Sequence, residues 1–363
     1  MTAPFLADSL PGTPLVLRQA SLTDPALAAR VETYVAAHAE ATPFHRPAWL
    51  NAAEAATGHA ALALVAEAGG VLVGYLPFTL IHSPLFGRLL ASSGFAVGGG
   101  VLADSPALAA LLIDAARELA ERRAVPAIEL RGGALPEAGQ GWAVKRDSHC
   151  GFIRPLADDD ERELLAIPRK QRAEVRKGLD QPLTIRIGTS AADRAMHYAV
   201  YAESVRNLGT PVFPRALFDA VLDQFGHDAD ILTVLHEGQP VASVLSLYHK
   251  GAVMPYWGGG VWAARRLRAN DRMYYELMLH ARRRGCTHFD FGRSKTHSGA
   301  YDFKRNWGFE PQPLSYGVWT KPGAEARDAD PTSARHARRI ALWRKLPLGL
   351  ANRIGPFIAA GLG

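Results

Sequence analysis

Cysteine is nearly absent from this chain. Its 363 residues hold two, Cys150 and Cys286, too few for a disulfide framework or for a thiolate metal site. A reducing cytoplasm is the expected compartment. No apolar run reaches the roughly 18 residues of a membrane-spanning helix. Met1 to Leu17 carries no basic segment followed by an apolar core, so no signal peptide is expected. There is no Gly-x-Ser-x-Gly, which argues against Ser294 as a hydrolytic nucleophile. Metal-ligand spacing of His, Cys or carboxylates is missing too, so no metal site is expected.

One further absence is local. From Pro331 to Gly363 there is no Asp or Glu, while Arg335, Arg338, Arg339, Arg344, Lys345 and Arg353 supply six cations. These account for the whole formal charge of +6, so residues 1–330 balance to zero. The basic character belongs to the tail. No DNA-binding role is expected, and tRNA binding, which depends on phosphate neutralisation, gains little from a neutral body. In the tail, Ile340, Trp343, Leu346, Leu350, Ile354, Phe357 and Ile358 recur at helix-like spacing among the cations. Residues 333–363 thus read either as an interfacial helix on an anionic membrane, broken by Pro347 and Pro356, or as a helix docked on the body.

What is present is the composition of an ordinary folded protein, 48% hydrophobic and 21% charged, at a length that suggests two domains. Hydrophobic periodicity predicts strand 15–18, helices 24–39 and 48–56, strands 61–66, 71–81 and 89–101, helix 105–123 and strand 127–130. The second half repeats the order: strand 183–187, helices 191–206 and 214–225, strands 231–235, 241–249 and 253–257, helix 270–284 ending at Gly285, and strand 287–291. Thr42-Pro matches Thr210-Pro, Val73 matches Val241, Gly98-Gly-Gly-Val matches Gly258-Gly-Gly-Val, and Ile128-Glu-Leu matches Phe289-Asp-Phe. Four ordered matches at nearly constant offset indicate a duplication. The expected fold class is α/β, an α+β arrangement of mixed sheet and helices repeated in tandem. The expected boundaries are 14–150 for the first domain, 151–180 for a basic linker helix, 181–320 for the second domain and 331–363 for a basic amphipathic tail.

Candidate chemistry concentrates between Phe289 and Gly308, where a strand with Phe289 and Phe291 on one face runs into a polar loop. Asp290 at the strand end could take a proton from an amine, or form a structural ion pair with a neighbouring cation. Arg293 and Lys295 could hold an oxyanion or phosphate, with Ser294 and Lys304 beside them. Arg169, Arg172 and Arg176 fall near one helical face and suit phosphate, or belong to a solvated linker balanced by acidic 158–163. Tyr256 and Trp257 before three glycines suit a flat ligand, or fill the core at a bend.

Four stretches together carry a resemblance: Ile167-Pro-Arg-Lys-Gln-Arg-Ala-Glu-Val-Arg-Lys-Gly, Ser204-Val-Arg-Asn-Leu-Gly-Thr-Pro-Val, Pro255-Tyr-Trp-Gly-Gly-Gly, and Phe289-Asp-Phe-Gly-Arg-Ser-Lys with Phe303-Lys-Arg-Asn-Trp-Gly-Phe-Glu-Pro. Over most of residues 15–320 the chain resembles the FemAB-like proteins associated with exosortase/PEP-CTERM systems, in the Fem peptidyltransferase and BioF2-like acetyltransferase group. The resemblance implies two tandem N-acetyltransferase (GNAT)-like domains. It also implies transfer of an acyl or aminoacyl group to an amine of a cell-envelope or exopolysaccharide precursor, with acyl-CoA or aminoacyl-tRNA as co-substrate and no tightly bound cofactor. A Fem-type aminoacyl-tRNA-dependent peptidyltransferase is one alternative, and a non-catalytic, membrane-tethered binder of an anionic precursor is another. Asp290, Arg293 and Lys295 become the catalytic candidates. Arg169, Arg172, Arg176, Arg206, Tyr256, Trp257, Ser294, Lys304 and Trp307 become the substrate-binding ones. In Arg265-Arg-Leu-Arg-Ala-Asn270, the residues Arg266, Arg268 and Asn270 are the donor-binding ones, with Arg268 and Asn270 where the superfamily's loop has glycines. The chain lacks the coiled-coil arm of the longer Fem enzymes. The expected location is the cytoplasm, either free or peripheral on the inner face of the membrane.

Overall fold

Short polar residues followed by proline or alanine mark where helices begin. In the computed structural model, which describes residues 14–324 and 337–363, Asp24 accepts the Ala26 N–H ahead of α1 (Pro25–Ala37). Proline again occupies the first turn of α2 (Pro47–Thr57), where its missing N–H costs nothing. The described residues form two units. The first runs to Asp147 and takes up the chain again from Leu314 and at Ala360–Gly363; the second holds Ser148–Pro313 and the tail up to Ala359.

The first unit contains β1 (Leu15–Ala20), β2 (Ala60–Ala68), β3 (Val71–Ser83), β4 (Gly87–Ala91), the short β5 (Leu102–Ala103), α3 (Pro106–Arg122) and β6 (Ala127–Arg131). The strands β1 to β4 pair antiparallel in sequence, and β4 pairs parallel with β6 through Leu90↔Ile128 and Ala91↔Glu129. Leu64, Leu76, Phe78, Leu112, Ile128 and Trp319 fill the core beside α3.

The chain then passes along β7 (Trp142–Gly151) into the second unit: β8 (Ile153–Pro155), α4 (Asp160–Ala166), α5 (Arg169–Leu179), β9 (Leu183–Gly188), α6 (Ala191–Leu208), α7 (Arg215–Phe225), β10 (Ala229–His236), β11 (Gln239–His249), β12 (Ala252–Gly260), α8 (Ala269–Arg283), β13 (His288–Asp290), β14 (Ser294–Lys295) and α9 (Gly299–Asn306). Among the described residues its sheet has six strands in the order β8-β13-β12-β11-β10-β9. All neighbours are antiparallel except β12 and β13. Ser190 and Asp193 form a reciprocal cap at the start of α6, and Gly209 ends it at φ +90°. That is a left-handed position that glycine takes without strain. The core gathers Phe152, Val244, Met273, Met278, Phe289, Phe291, Trp307 and Phe309. The remaining elements are β15 (Gln312–Thr320), α10 (Ala337–Trp343) and α11 (Leu348–Ala360).

Several expectations shift. The strand read over 89–101 stops at Ala91, and a loop follows in which Ser93 and Phe95 take positive φ. Strands β7, β8 and β15 were not expected. Their partners lie far off in the chain, β6 for β15 and β13 for β8. Residues from Leu314 on group with the first unit because Tyr316–Thr320 pair with Ala127–Arg131, whereas the sequence boundary put them in the second domain. The segment read as a linker is part of the second unit. The buried face of α5, Gln171, Val175 and Gly178, packs on α8, and Gln171 Nε2 donates to Asp271 Oδ1 at 2.6 Å. Of the tail, residues 331–336, with Arg335, lie outside the described residues.

Candidate functional site

The second unit holds a discontinuity in its sheet. β12 and β13 run parallel but share only two registered pairs, Ala252↔His288 and Val253↔Phe289. Beyond them the strands go separate ways, leaving their carboxyl ends apart, which is where open α/β sheets place ligands. On one side β12 carries a bulge. Leu245 faces Trp257 and Ser246 faces Pro255, so Tyr256 is the extra residue, a device that re-aims side chains beside functional sites. Gly258 follows where Val244 of β11 comes close, and Gly259 and Gly260 where helices approach the strand. A Cβ on Gly259 would collide with Ser204 of α6, and one on Gly260 would sit 2.5 Å from Asn270 Oδ1. Tyr201 of α6 and Tyr274 of α8 stand on the helices that approach this strand. Burial holds the Tyr201 phenol above its ordinary value and pushes Tyr274 up to about 12, so both stay neutral.

On the other side stands the polar loop. Asp290 ends β13, and its Oδ1 accepts the N–H of Gly292 at 2.8 Å. Gly292 is at φ +67°, a conformation that suits glycine. Burial raises the Asp290 pKa above the ordinary carboxylate value, against the opposing pull of the Gly292 N–H and of Lys304. Lys304 comes from α9 and is 9% exposed. Its Nζ donates to the carbonyls of Gly292 at 3.2 Å and Arg293 at 2.9 Å, and lies 5.4 Å and 5.7 Å from the ring centres of Phe152 and Phe291. Burial brings its pKa down to about 7, with Asp290 raising it and Arg293 lowering it. Ser294 and Lys295 form β14, which pairs with Cys150 and His149 at the end of β7. Ser294 Oγ is buried without a hydrogen-bond partner among the described residues.

Asp290, Arg293, Ser294, Lys295 and Lys304 therefore belong to one loop, with Tyr256 on the neighbouring strand. Arg169 and Arg176 are exposed on α5 and Arg172 is half-buried, its Nη1 reaching the Leu165 carbonyl at 3.4 Å. Three expected substrate contacts are corrected. Trp307 is fully buried against Tyr274, Phe291 and Phe303, and Trp257 is buried with its ring centre 4.5 Å from that of Phe218. Both have apolar neighbours where a ligand would need to be. Arg206 is engaged by the tail, its Nη1 donating to the Arg344 carbonyl.

Of the expected donor-binding residues, Arg266 and Arg268 are exposed and Asn270 is half-buried, its Oδ1 without a hydrogen-bond partner among the described residues. Arg268 stands at φ +53°, the left-handed region, and its Nε lies 2.8 Å from Glu174 Oε2 of α5. Sequence reasoning missed Glu174, Asp271, Tyr201 and Tyr274. Glu174 and Asp271 carry no local signal because the α5–α8 contact joins residues about a hundred positions apart. The two tyrosines follow ordinary core spacing on their helices.

Residues 168–305 match the family model described as acetyltransferase (GNAT) domain. Solved structures add the architecture. The crystal structure of FemX aligns over 82% of this chain and 96% of its own, with TM-score 0.62 and 15% identity. A tandem GNAT protein from the clavulanic acid biosynthesis pathway, solved without AcCoA, aligns over 86% and 100%, with TM-score 0.56 and 12% identity. The fold is a tandem of GNAT-like domains. A conserved protein of unknown function from Bacteroides thetaiotaomicron aligns at TM-score 0.54 and 10% identity over 84% of this chain and 99% of that one. At such identities the likeness is one of fold. No curated protein sequence matches this chain. The matched GNAT segment spans α5 to α9, so the parted strands, the α8 loop and the Asp290–Lys304 loop all lie within it.

Proposed function

We propose that this tandem GNAT-like chain is an N-acyltransferase whose reaction takes place in the second unit, between the carboxyl ends of β12 and β13. The observation that carries the reading is Asp290, a half-buried carboxylate at the parted strands whose proton affinity is raised above the ordinary carboxylate value, as a general base requires. The acceptor enters as an ammonium and loses a proton to Asp290. The free amine attacks the donor's thioester or ester carbonyl, a C–N bond forms, and the negative charge on the carbonyl oxygen is met by Arg293 and Lys295. Collapse expels the thiol or hydroxyl leaving group, which takes up the proton that Asp290 held, and the surplus proton on the new amide nitrogen passes to solvent. Lys304 braces the loop through the two carbonyls it binds.

The donor is an acyl or aminoacyl group, and the acceptor in this reading is an amine of an envelope or exopolysaccharide precursor. Acyl-CoA suits the matched domain, but the loop before α8 offers guanidinium groups where a pyrophosphate cradle needs bare backbone, and Glu174 already engages Arg268. That departure keeps an aminoacyl-tRNA-dependent peptidyl transfer as the second reading. The test is a mass-spectrometric screen of acyl-CoAs and aminoacyl-tRNAs against amine acceptors, followed by Asp290→Asn on the productive pair. Loss of about 10²–10⁴ in kcat is expected if Asp290 is the base. Full turnover by the variant removes Asp290 from the mechanism, and silence with every donor favours the non-catalytic binder.

A further inference from the structure

The last two helices have two unlike faces. On α11, Ala351, Gly355 and Ala359 are buried, spaced four apart so that they form one stripe. A Cβ on Gly355 would sit 3.2 Å from the Val212 backbone nitrogen, so the helix lies close on the second unit. Trp343 of α10 is buried as well. Arg344 Nη2 donates to the Leu208 carbonyl at 3.0 Å and Arg206 Nη1 to the Arg344 carbonyl at 3.3 Å, which pins the pair to the end of α6.

The other face of α11 is apolar and open. Leu350, Ile354 and Phe357 are spaced four and three apart, and Phe357 is 83% exposed. Leu342 of α10 and Leu208 at the anchoring end of α6 are exposed as well. Arg344 and Lys345 in the turn between the two helices and Arg353 on α11 are exposed, and the sequence from Pro331 to Gly363 contains no acidic residue. Among the described residues no helix is long and apolar enough to cross a membrane. α11, with 13 residues, is only about 20 Å long. A short helix docked by small residues on one side, with large apolar side chains and cations on the other, fits a surface that is apolar beneath an anionic layer.

We propose that the outer face of α10 and α11 docks this protein on an anionic lipid bilayer, with Leu350, Ile354 and Phe357 entering the headgroup–acyl boundary. Arg344, Lys345 and Arg353 then lie at the level of the lipid phosphates. Charge complementarity selects this occupant over a second copy of the chain, because self-pairing of this face would bring its own cations together with no acid to offset them. The inference is independent of the transfer activity, since it rests on no residue of the Asp290 loop.

The test is co-sedimentation of the full chain with vesicles of phosphatidylglycerol and phosphatidylcholine in equal parts, and with phosphatidylcholine alone. Binding to the anionic vesicles is expected to be at least about tenfold tighter and to weaken in high salt. Leu350→Ser with Phe357→Ser should abolish it while leaving the circular dichroism melt in place, since both side chains are exposed. Arg353→Gln should weaken it about fivefold. Absence of binding to anionic vesicles, or full binding by the double variant, overturns the proposal. So does concentration-dependent dimerisation in light scattering that the double variant loses, which would assign the face to a second copy.

Discussion

Replacing Lys304 by methionine isolates one buried titration. The wild-type ammonium is 9% exposed, between Phe152 and Phe291, and burial brings its pKa from 10.5 to about 7. The unfolded chain therefore binds the proton below 10.5 while the folded chain binds it only below about 7. Stability contributed by this group is complete above the unfolded value and is lost as pH falls through that window, then stays level below it. Each pH unit in the window is worth about 1.4 kcal/mol, so the full effect is on the order of 5 kcal/mol. Lys304→Met removes the titration and also strips two carbonyls, those of Gly292 and Arg293, of their donor, a loss of roughly 1–3 kcal/mol each. The offset at a single pH is thus a balance of opposing effects, and the slope is the clean quantity. Urea midpoints measured for both proteins from pH 7 to 10 should give a wild-type advantage that grows by about 1.4 kcal/mol per pH unit. Parallel profiles would show that Lys304 is protonated alike in both states and would refute the burial argument.

Glu174→Gln should release Arg268 from its 2.8 Å contact. If the α8 loop meets donor phosphates, the donor KM should fall about threefold to tenfold with kcat unchanged, and stability should move by less than about 1 kcal/mol; an unchanged donor titration would detach the loop from the donor. Gly259→Ala should lower stability by roughly 1–3 kcal/mol, because the new methyl meets Ser204. Adding Ser204→Gly should recover part of that loss in a thermal melt, and strict additivity would contradict the close approach of α6 to β12.

The parts of the site that the sequence made legible are those coded within a few residues. Phe289 and Phe291 do share a core face, their ring centres 5.0 Å apart, with Asp290 between them at the strand end. The three arginines of α5 stayed outward because Gln171, Val175 and Gly178 form its buried face. What escaped depends on distant partners. Nothing near Ser294 announces that it pairs with Cys150, and nothing near Arg268 announces Glu174. Trp307 failed as a ligand contact for the opposite reason. It lies in a dense motif, and proximity in sequence to polar loop residues does not say whether an indole faces the loop or the core.

The two halves of the duplication differ at the element where the chemistry is proposed for the second. Each half has a parallel strand pair with few registered partners, Leu90↔Ile128 and Ala91↔Glu129 in one, Ala252↔His288 and Val253↔Phe289 in the other. Aligning Ile128-Glu129-Leu130 with Phe289-Asp290-Phe291 sets Glu129 against Asp290 and Arg131 against Gly292. In the first half the guanidinium of Arg131 binds Glu129 at 2.8 Å and also donates to the carbonyls of Ala96 and Gly363. The loop after β4 is fastened by Trp49 to the Gly94 carbonyl and by Ser93 to that of Phe44. That carboxylate is held in an ion pair, and the loop beside it is fastened to its own chain. In the second half glycine stands where the arginine would be, and among the described residues Asp290 accepts the Gly292 N–H while Lys304 acts on it without an ion-pair contact. Burial then dominates and raises its pKa. One residue, two positions after the acid, thus separates a structural ion pair from a candidate base.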